Sequence, residues 1–416
     1  MVLKQRRGKK VQVVVSTSAV VSTSTAETTD GSKGKGSNKY DVDANKKDKF
    51  NPVIVVILFY MLACGVLYRY YCKYGPSIFL GKGWKDYKWS PYKWRQFIDD
   101  NERTILIIGG PHRSGTTIVW EGIKSHPDIV GFGDSFDTGV DYSEGVLMQD
   151  VYPRFGVGYE FTNFDKNGAK KKSPSAREDG IGRYALVDGV HWTAENKKEK
   201  LEDPSSFSRL LNRFGPHWDQ NKKFGKEGLM KAKVWVEKSP QNAVLATFLE
   251  GLYNMPVHEN GTVNLHDEKK PKQSATKFIY VTRHPIANMY GTDKFVRDAM
   301  GGNIDFETLL KNYIALHKYM KMDETTLKSP VMWVHLEDFA SNPNKVLARV
   351  FKFLDVSATE DVVRQILNNM PDIRAKPNEK YFKMWCEEGI AKNGQLLQKY
   401  HEELNSLSLG YDLDVC

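Results

Sequence analysis

The chain has 416 residues, of which 40% are hydrophobic and 12% aromatic, so it is long and apolar enough to bury a core. This composition excludes a wholly disordered protein and a small disulfide-stapled domain. Four scattered cysteines, at positions 64, 72, 386 and 416, also exclude a CxxC zinc motif.

The net charge of +9 is unevenly distributed along the chain. Residues 1–50 hold eleven Lys or Arg and five acidic residues among many Ser, Thr and Gly, so this segment is predicted to be a disordered basic tail. The rest of the chain carries 49 basic and 46 acidic residues. Because a nucleic-acid-binding domain needs a basic face, this near-balance disfavours a nucleic-acid partner.

An apolar run follows the tail. Residues 53–68 contain no charge, and the 20 residues from 53 to 72 would span roughly 30 Å as a helix, which matches the hydrocarbon core of a bilayer. We therefore predict one transmembrane helix over residues 52–72 rather than a buried core helix, so the lipid bilayer is an expected partner. The basic tail favours a cytosolic N-terminus. A single-pass type II membrane protein follows, with residues 73–100 as a stem and residues 101–416 as the folded domain.

The folded domain after the stem begins with alternating strands and helices. The apolar run at 104–109 predicts a buried strand, and residues 116–124 have helical composition. The same order recurs at 234–236 before a helix over 240–252, at 278–282 before a helix over 285–297, and at 331–335 before a helix over 343–354. The sequence therefore predicts an α/β domain with a P-loop-like parallel sheet flanked by helices, preceded by the transmembrane helix.

Residues 131–230 interrupt this alternation. They are too many for a bare loop in a compact domain, so we expect helices and part of an acceptor cleft there. Trp192, Trp218 and the basic run 170–172 could stack on and attract an acidic glycan, or they could serve as local packing and solvated surface. Asn260-Gly261-Thr262 is an N-glycosylation sequon, which suits a glycoprotein domain in the secretory lumen.

A glycine-rich loop joins the first strand to its helix. Counted from Gly110, its frame is G-x-x-x-x-G-T-T, a P-loop skeleton in which Thr116 replaces the usual lysine. Glycines let backbone N–H groups approach an oxyanion, the helix directs its positive end at the same point, and Arg113 adds a planar cation. The missing lysine and the absence of an obvious Mg²⁺-binding carboxylate disfavour a kinase or NTPase. The predicted anion-binding residues of this loop are Arg113, Ser114, Gly115, Thr116 and Thr117.

The loop sequence GPHRSGTT resembles the 5′-phosphosulfate loop of sulfotransferases that use 3′-phosphoadenosine 5′-phosphosulfate (PAPS), especially the Golgi tyrosylprotein and carbohydrate enzymes. Residues 236–240 (VEKSP) resemble the Lys-x-Pro element of that family, which implies that Lys238 lies near the transferred sulfuryl group. Residues 278–285 (FIYVTRHP) resemble its second cofactor signature, which implies that Arg283 grips the 3′-phosphate. The resemblance also implies a Golgi membrane enzyme with its catalytic domain in the lumen.

One position departs from the family pattern. The family usually has a Ser eight residues after the second-signature arginine, where this chain has Gly291 followed by Thr292. Either Thr292 supplies the hydroxyl to the 3′-phosphate or a backbone N–H of Gly291 replaces it, and we favour Thr292.

The implied reaction moves the sulfuryl group of PAPS to an acceptor hydroxyl, with positioning and electrostatics dominant and no metal required. Arg113 and Lys238 are the candidate cations, although Lys238 could instead be an exposed lysine at a helix entry. For the proton acceptor we favour Glu144, in a Glu-Gly-x-x-x-Gln pattern of related enzymes, over Asp134, with His112 and His191 as further candidates.

Several points stay open in the sequence. The sequence leaves open whether the acceptor is a glycan, a protein tyrosine or a small alcohol, because no specific motif marks any of them. A membrane-tethered P-loop kinase or NTPase, or a catalytically dead sulfotransferase-fold binding protein, are the alternatives to an active sulfotransferase. Whether Cys386 pairs with Cys416 and whether the chain forms a homodimer are also left open.

Overall fold

The computed structural model describes residues 88–132, 191–219, 228–263, 275–300, 304–370 and 372–416, together with four two-residue strands between 154 and 181. Among these residues, no helix is long and apolar enough to cross a bilayer. The predicted tail, the predicted anchor at 52–72 and most of the predicted stem lie outside the described residues and stay predictions, as do Asp134 and Glu144.

A parallel sheet of five strands organises the described residues. Its strands are β1 (Thr104–Gly109), β2 (Ile129–Val130), β7 (Val234–Lys238), β8 (Thr276–Thr282) and β9 (Val331–His335). They lie side by side in the order β2-β7-β1-β8-β9. Two small separate pairs are formed by β3 (Arg154–Phe155) with β6 (Gly180–Ile181) and by β4 (Asn163–Phe164) with β5 (Lys170–Lys171). The predicted α/β class and parallel sheet are confirmed.

Helices flank the sheet. In the first half of the domain they are α1 (Pro91–Asp100), α2 (Thr116–Lys124), α3 (Lys198–Leu201), α4 (Pro204–Asp219), α5 (Gly228–Lys231) and α6 (Ala246–Tyr253). In the second half they are α7 (Pro285–Met300), α8 (Phe306–Thr326), α9 (Leu336–Ser341), α10 (Pro343–Phe353), α11 (Glu360–Asn369), α12 (Glu379–Met384), α13 (Ile390–Lys399) and α14 (His401–Ser406). A π-helical turn, Trp385–Gly389, joins α12 to α13.

The helix predicted over 240–252 is wrong in its first part. Residues Pro240–Val244 form a 3₁₀ turn, and α6 begins only at Ala246. The turn is tied to the end of β1, because the Asn242 side chain donates to the Ile108 carbonyl at 3.0 Å and to the Glu237 carboxylate at 2.5 Å. These tertiary bonds favour the tighter turn.

Helix α1 lies in the stretch predicted as stem, yet it packs into the core. Ser90 caps it by accepting a hydrogen bond from the Lys93 amide, and Pro91 occupies its first position. Trp94 is fully buried and meets the Trp235 ring edge to face at 6.3 Å. The packed part of the chain therefore includes these residues of the predicted stem.

Helix α4, inside the predicted insert, buries an apolar stripe with helical spacing. The stripe consists of Phe207, Leu210, Leu211, Phe214 and Trp218. Trp218 stacks on Trp235 at 5.2 Å, and its Nε1 donates to the Val236 carbonyl at 3.3 Å. Trp218 therefore packs the core behind β7 and offers no surface to a glycan.

Candidate active site

The strands of the sheet bring the predicted motifs to one edge. Because β1, β7, β8 and β9 are parallel and in register, their carboxyl ends meet there: Ile108 pairs with Lys238, Gly109 with Tyr280, and Thr282 with His335. Three features follow these strand ends: the glycine-rich loop, Arg283 and the start of α9. Lys238 is itself the last residue of β7. This edge is where ligands bind in open parallel sheets.

The glycine-rich loop depends on backbone conformations that favour glycine. Gly110 has φ of 152°, and a Cβ there would overlap the carbonyl oxygen of Val281. Gly115 has φ of 91° at the start of α2, where a Cβ would lie 2.5 Å from Leu336 Cδ1. Both glycines therefore let the backbone of the loop lie close against β8 and α9.

Ser114 sits at the centre of this loop. Its side chain is fully buried, and its Oγ makes no hydrogen bond within the described residues. A buried hydroxyl without a partner costs free energy unless a ligand supplies one. Thr116 and Thr117, the first residues of α2, are buried and half-buried, so the positive end of the helix lies beside Ser114.

Arg113 has an exposed side chain and a left-handed backbone with φ of 65°. Its guanidinium lies over the ring of Phe295, 5.1 Å from the centroid. A non-glycine residue in this region is uncommon and persists where the surroundings hold it. Its backbone carbonyl is held by Arg283, whose Nη1 donates to it at 3.0 Å.

Lys238 is 1% exposed at the end of β7, so the alternative interpretation as an exposed helix-entry lysine is wrong. Its Nζ lies 6.0 Å from the ring centroid of Trp120 in α2. The next residue, Ser239, donates its backbone N–H to the Ile108 carbonyl at 3.1 Å. Lys238 is thus the last residue of β7, and its Nζ lies near helix α2, which follows the glycine-rich loop.

Arg283 is 7% exposed and holds three parts of the chain together. Besides the carbonyl of Arg113, it bonds the Asn378 Oδ1 through Nε at 2.8 Å and the Pro377 carbonyl through Nη2 at 2.6 Å. Its guanidinium lies 5.0 Å from the ring centroid of Tyr381. Burial lowers the pKa of Arg283, while Tyr381 and Glu337 act in the opposite direction.

The carboxylate of Glu337 braces the same region. It accepts hydrogen bonds from the His284 backbone amide at 2.9 Å, from Asn378 Nδ2 at 2.5 Å and from Tyr411 Oη at 3.2 Å. Burial is the main cause that raises the pKa of Tyr411, and the charge of Glu337 raises it further. His284 donates from Nε2 to the Asp412 carbonyl at 2.7 Å, and burial lowers its pKa. The C-terminal segments that contain Asn378 and Tyr411 are thereby fixed around Arg283.

The two candidate residues for the missing serine lie on α7 beside the loop. The Thr292 hydroxyl is buried and donates to the His112 carbonyl at 3.4 Å, and Asn288 Nδ2 donates to the same oxygen at 2.8 Å. Gly291 faces Arg113 and Arg283, because a Cβ there would lie 3.4 Å from Arg113 Cβ and 3.5 Å from Arg283 Nη1. Gly291 therefore lies directly beside the guanidinium of Arg283.

The proton-acceptor candidates divide into three groups. Glu144 and Asp134 lie outside the described residues. His112 is buried in the glycine-rich loop. His191 bonds Asp323 Oδ1 at 2.7 Å and stacks on Tyr319, so its described contacts are with α8 rather than with the glycine-rich loop. Burial raises the pKa of Asp323, and the bond to His191 partly opposes this shift.

Sequence reasoning gave no role to Asn378, Tyr381 or the Glu337 carboxylate. Asn378 and Tyr381 carried no local signal, because they follow β8 by about a hundred residues and reach Arg283 only through folding.

The cysteine pairing left open by the sequence is formed. Cys386 and Cys416 are joined by a disulfide, with Cα atoms 5.6 Å apart, which ties the C-terminus to the π-helical turn after α12. In the part of the chain that the structure describes, no group of three His, Cys, Asp or Glu side chains could hold a metal ion.

No family model matches the chain, and no curated protein matches it. Among solved structures, it is similar to the sulfotransferase domain from the curacin biosynthetic pathway, with 17% identity, 65% of this chain and 79% of that chain covered, and a TM-score of 0.33. A sulfotransferase from Alicyclobacillus acidocaldarius has 15% identity and a TM-score of 0.34, with 74% of this chain and 99% of that chain covered. A retinol dehydratase, solved in complex with androsterone and the inactive cofactor PAP, has 12% identity and a TM-score of 0.32, with 78% of this chain and 86% of that chain covered. Because these TM-scores are low, the proposal that follows rests on the residues of the site itself.

Proposed function

We propose that this chain is a PAPS-dependent sulfotransferase. It moves the sulfuryl group of PAPS to a hydroxyl of a glycan or protein acceptor by in-line displacement and leaves adenosine 3′,5′-bisphosphate. We further propose that residues 52–72 anchor it in the Golgi membrane as a single-pass type II protein with its catalytic domain in the lumen.

One observation carries the proposal: a buried arginine and a glycine-rich anion cradle are joined at one edge of a parallel sheet. Arg283 Nη1 donates to the backbone carbonyl of Arg113, inside the cradle. A donor nucleotide with phosphate groups at both its 3′ and 5′ positions needs two such neighbouring anion sites. A nucleoside triphosphate needs a lysine in the loop instead, and Thr116 stands there.

The residues present fit such a ligand. The backbone of residues 110–115 and the Oγ of Ser114, which has no hydrogen-bond partner among the described residues, would hold the 5′-phosphosulfate, together with the N–H groups at the start of α2. Arg283 would hold the 3′-phosphate, since a planar guanidinium suits a tetrahedral oxyanion. Both sites lie at the carboxyl edge of the sheet.

PAPS, when bound, supplies a sulfuryl group that is already activated by its phosphate anhydride. The chain's own residues then have three tasks: to position the acceptor hydroxyl, to stabilise negative charge and to take the acceptor's proton. Arg113 and Lys238 are the proposed cations for the charge. Glu144, or Asp134 in its place, is the proposed proton acceptor.

The test uses the purified full chain in detergent, incubated with sulfur-labelled PAPS against polysaccharides, tyrosine peptides and small alcohols. We expect label in one acceptor class and the release of adenosine 3′,5′-bisphosphate. Tighter binding of ATP than of adenosine 3′,5′-bisphosphate would instead favour a kinase or NTPase. Binding of the bisphosphate with no transfer to any acceptor would favour a catalytically inactive binding protein.

The role of the base has its own test. Glu144→Gln should lower turnover strongly and leave the affinity for adenosine 3′,5′-bisphosphate nearly unchanged, because the side chain would act only on the acceptor. Asp134→Asn is the matched comparison. Full activity of the Glu144 variant with loss of activity in the Asp134 variant would move the role to Asp134.

The orientation is tested at Asn260, which lies in an exposed turn. A lumenal domain should carry a glycosidase-sensitive mass at this residue, and Asn260→Gln should remove it. Protease treatment of sealed membranes should leave residues 101–416 intact, and digestion of that domain from the cytosolic side would contradict the type II orientation.

A further inference from the structure

A small polar recess lies over Gly291 on helix α7. A Cβ at Gly291 would lie 3.4 Å from Arg113 Cβ, 3.5 Å from Arg283 Nη1 and 3.6 Å from Tyr381 Oη. These are ordinary van der Waals distances, so the glycine leaves room for about one further heavy atom rather than filling a tight contact. Three side chains from distant parts of the sequence therefore border one point.

Arg283 keeps hydrogen-bonding capacity at this recess. A guanidinium carries five N–H donors, two on each terminal nitrogen and one on Nε. Within the described residues, Nε, Nη1 and Nη2 each make one bond to the chain, to Asn378, Arg113 and Pro377. One N–H on each terminal nitrogen is left without a bonded acceptor among these residues, and Nη1 borders the recess.

Tyr381 is fixed beside Arg283 by its ring. The Arg283 guanidinium lies 5.0 Å from the ring centroid, a cation–π contact, and the Tyr381 backbone N–H donates to the Asn378 carbonyl at 2.8 Å. The side chain is half-buried. The phenolic O–H is thus held near an arginine N–H, and both donors border the place where the Gly291 side chain is missing.

We infer that Tyr381 is a ligand-binding residue of this site and donates its hydroxyl to the anion held by Arg283. The missing side chain at Gly291 leaves room for one oxygen atom of this anion to contact both donors. The inference rests on the proposed function, under which this anion is the 3′-phosphate of the nucleotide. It assigns the hydroxyl to a residue 90 positions after Gly291 in the chain rather than to Thr292, whose own hydroxyl bonds the His112 carbonyl.

The experiment compares two nucleotides that differ only in the 3′-phosphate: adenosine 3′,5′-bisphosphate and adenosine 5′-phosphate. Their affinities for the full chain are measured by titration calorimetry in detergent, with no turnover needed. Tyr381→Phe keeps the ring under Arg283 and removes only the hydroxyl. We expect it to weaken binding of the bisphosphate about ten- to a hundredfold, as for one charge-assisted hydrogen bond, and to leave binding of the monophosphate unchanged.

Three variants sharpen the result. Tyr319→Phe, a half-buried tyrosine stacked on His191, is the matched control and should bind both nucleotides like the wild type. Gly291→Ser in the Tyr381→Phe background should restore part of the lost affinity, because its hydroxyl would enter the recess. Thr292→Val should lower the affinity for the bisphosphate less than Tyr381→Phe does. The melting temperature of each variant is measured to show that it is folded.

The outcomes separate this inference from the proposed function. If the wild type prefers the bisphosphate and folded Tyr381→Phe binds it equally well, or loses both nucleotides equally, Tyr381 is not a ligand of the 3′-phosphate. If the wild type shows no preference for the bisphosphate, the proposed function fails and this assignment fails with it.

Discussion

Arg283 Nη1 donates a hydrogen bond to the backbone carbonyl of Arg113 at 3.0 Å, which joins the end of β8 to the glycine-rich loop after β1. The same guanidinium bonds Asn378 and Pro377 near the C-terminus. A single buried side chain therefore sets the distance between the two proposed anion sites. Its replacement should change ligand binding and loop geometry together.

Arg283→Lys should weaken binding of adenosine 3′,5′-bisphosphate by about tenfold or more. The lysine keeps the charge but cannot make the three directional bonds of the guanidinium. Calorimetry gives the affinity, and thermal unfolding gives the accompanying loss of stability. Arg297→Lys, on an exposed part of helix α7 and paired with Asp293, is the control and should change neither value. Wild-type affinity in the Arg283 variant would remove this residue from the site.

Gly110→Ala should destabilise the domain more than Gly261→Ala. Both glycines have positive φ, which costs an alanine about 1 kcal/mol or more. At Gly261, in an exposed turn, a Cβ would meet nothing within 4 Å, whereas at Gly110 it would overlap the Val281 carbonyl. Denaturant unfolding measures the difference, and only the Gly110 variant should also lose nucleotide affinity. Equal costs at the two sites would show that the loop relaxes away from β8.

His317 should make stability depend on pH in the acidic range. It is fully buried, donates from Nδ1 to the Tyr313 carbonyl at 2.7 Å, and as a neutral ring accepts at Nε2 from the Thr282 hydroxyl at 2.8 Å. Burial lowers its pKa to about 3, below the value of about 6.5 expected when the chain is unfolded. Between these two values the unfolded chain binds the extra proton, so the stabilisation is complete above about pH 6.5 and is lost as the pH falls toward 3.

The measurement compares the free energy of unfolding of the wild type and His317→Gln between pH 7 and pH 4. The variant should be less stable at pH 7, because the buried and hydrogen-bonded imidazole is lost. Its free energy of unfolding should fall less steeply than that of the wild type as the pH is lowered. Parallel pH curves would contradict a neutral, buried His317. Other titrating groups, such as the Asp323 carboxylate, are present in both proteins and cancel in the comparison.

The Cys386–Cys416 disulfide should stabilise the domain by roughly 3 kcal/mol, the order expected for a loop of 30 residues. The double variant Cys386→Ser with Cys416→Ser should lower the melting temperature. It should also weaken bisphosphate binding, because the C-terminal segment supplies Tyr411 to Glu337 and Asp412 to His284. A reductant should reproduce this effect in the wild type and leave the double variant unchanged. A reductant effect of equal size in both proteins would assign it to other groups.

The regular elements around the site could be predicted from the sequence. The strand at Thr104–Gly109 and the helix at Thr116–Lys124 have the predicted bounds, because continuous apolar runs and glycines act over a few residues. The role of Arg283 was implied by the resemblance of residues 278–285 to the second cofactor signature of sulfotransferases, and it stays a prediction. Helix α1 and the 3₁₀ turn at Pro240–Val244 were not predicted, because tertiary packing against Trp235 and bonds to the end of β1 decide them.

The sequence by itself determined the α/β class, the parallel strands and the glycine-rich loop, since each depends on local spacing and backbone freedom. Only the tertiary structure decided what surrounds Arg283. Asn378, Tyr381 and Tyr411 follow it by about a hundred residues, and no periodicity links them to a strand end. They meet Arg283 and Glu337 because the chain folds back over the sheet edge, where buried charges need hydrogen-bonding partners and accept them from any distance in the sequence.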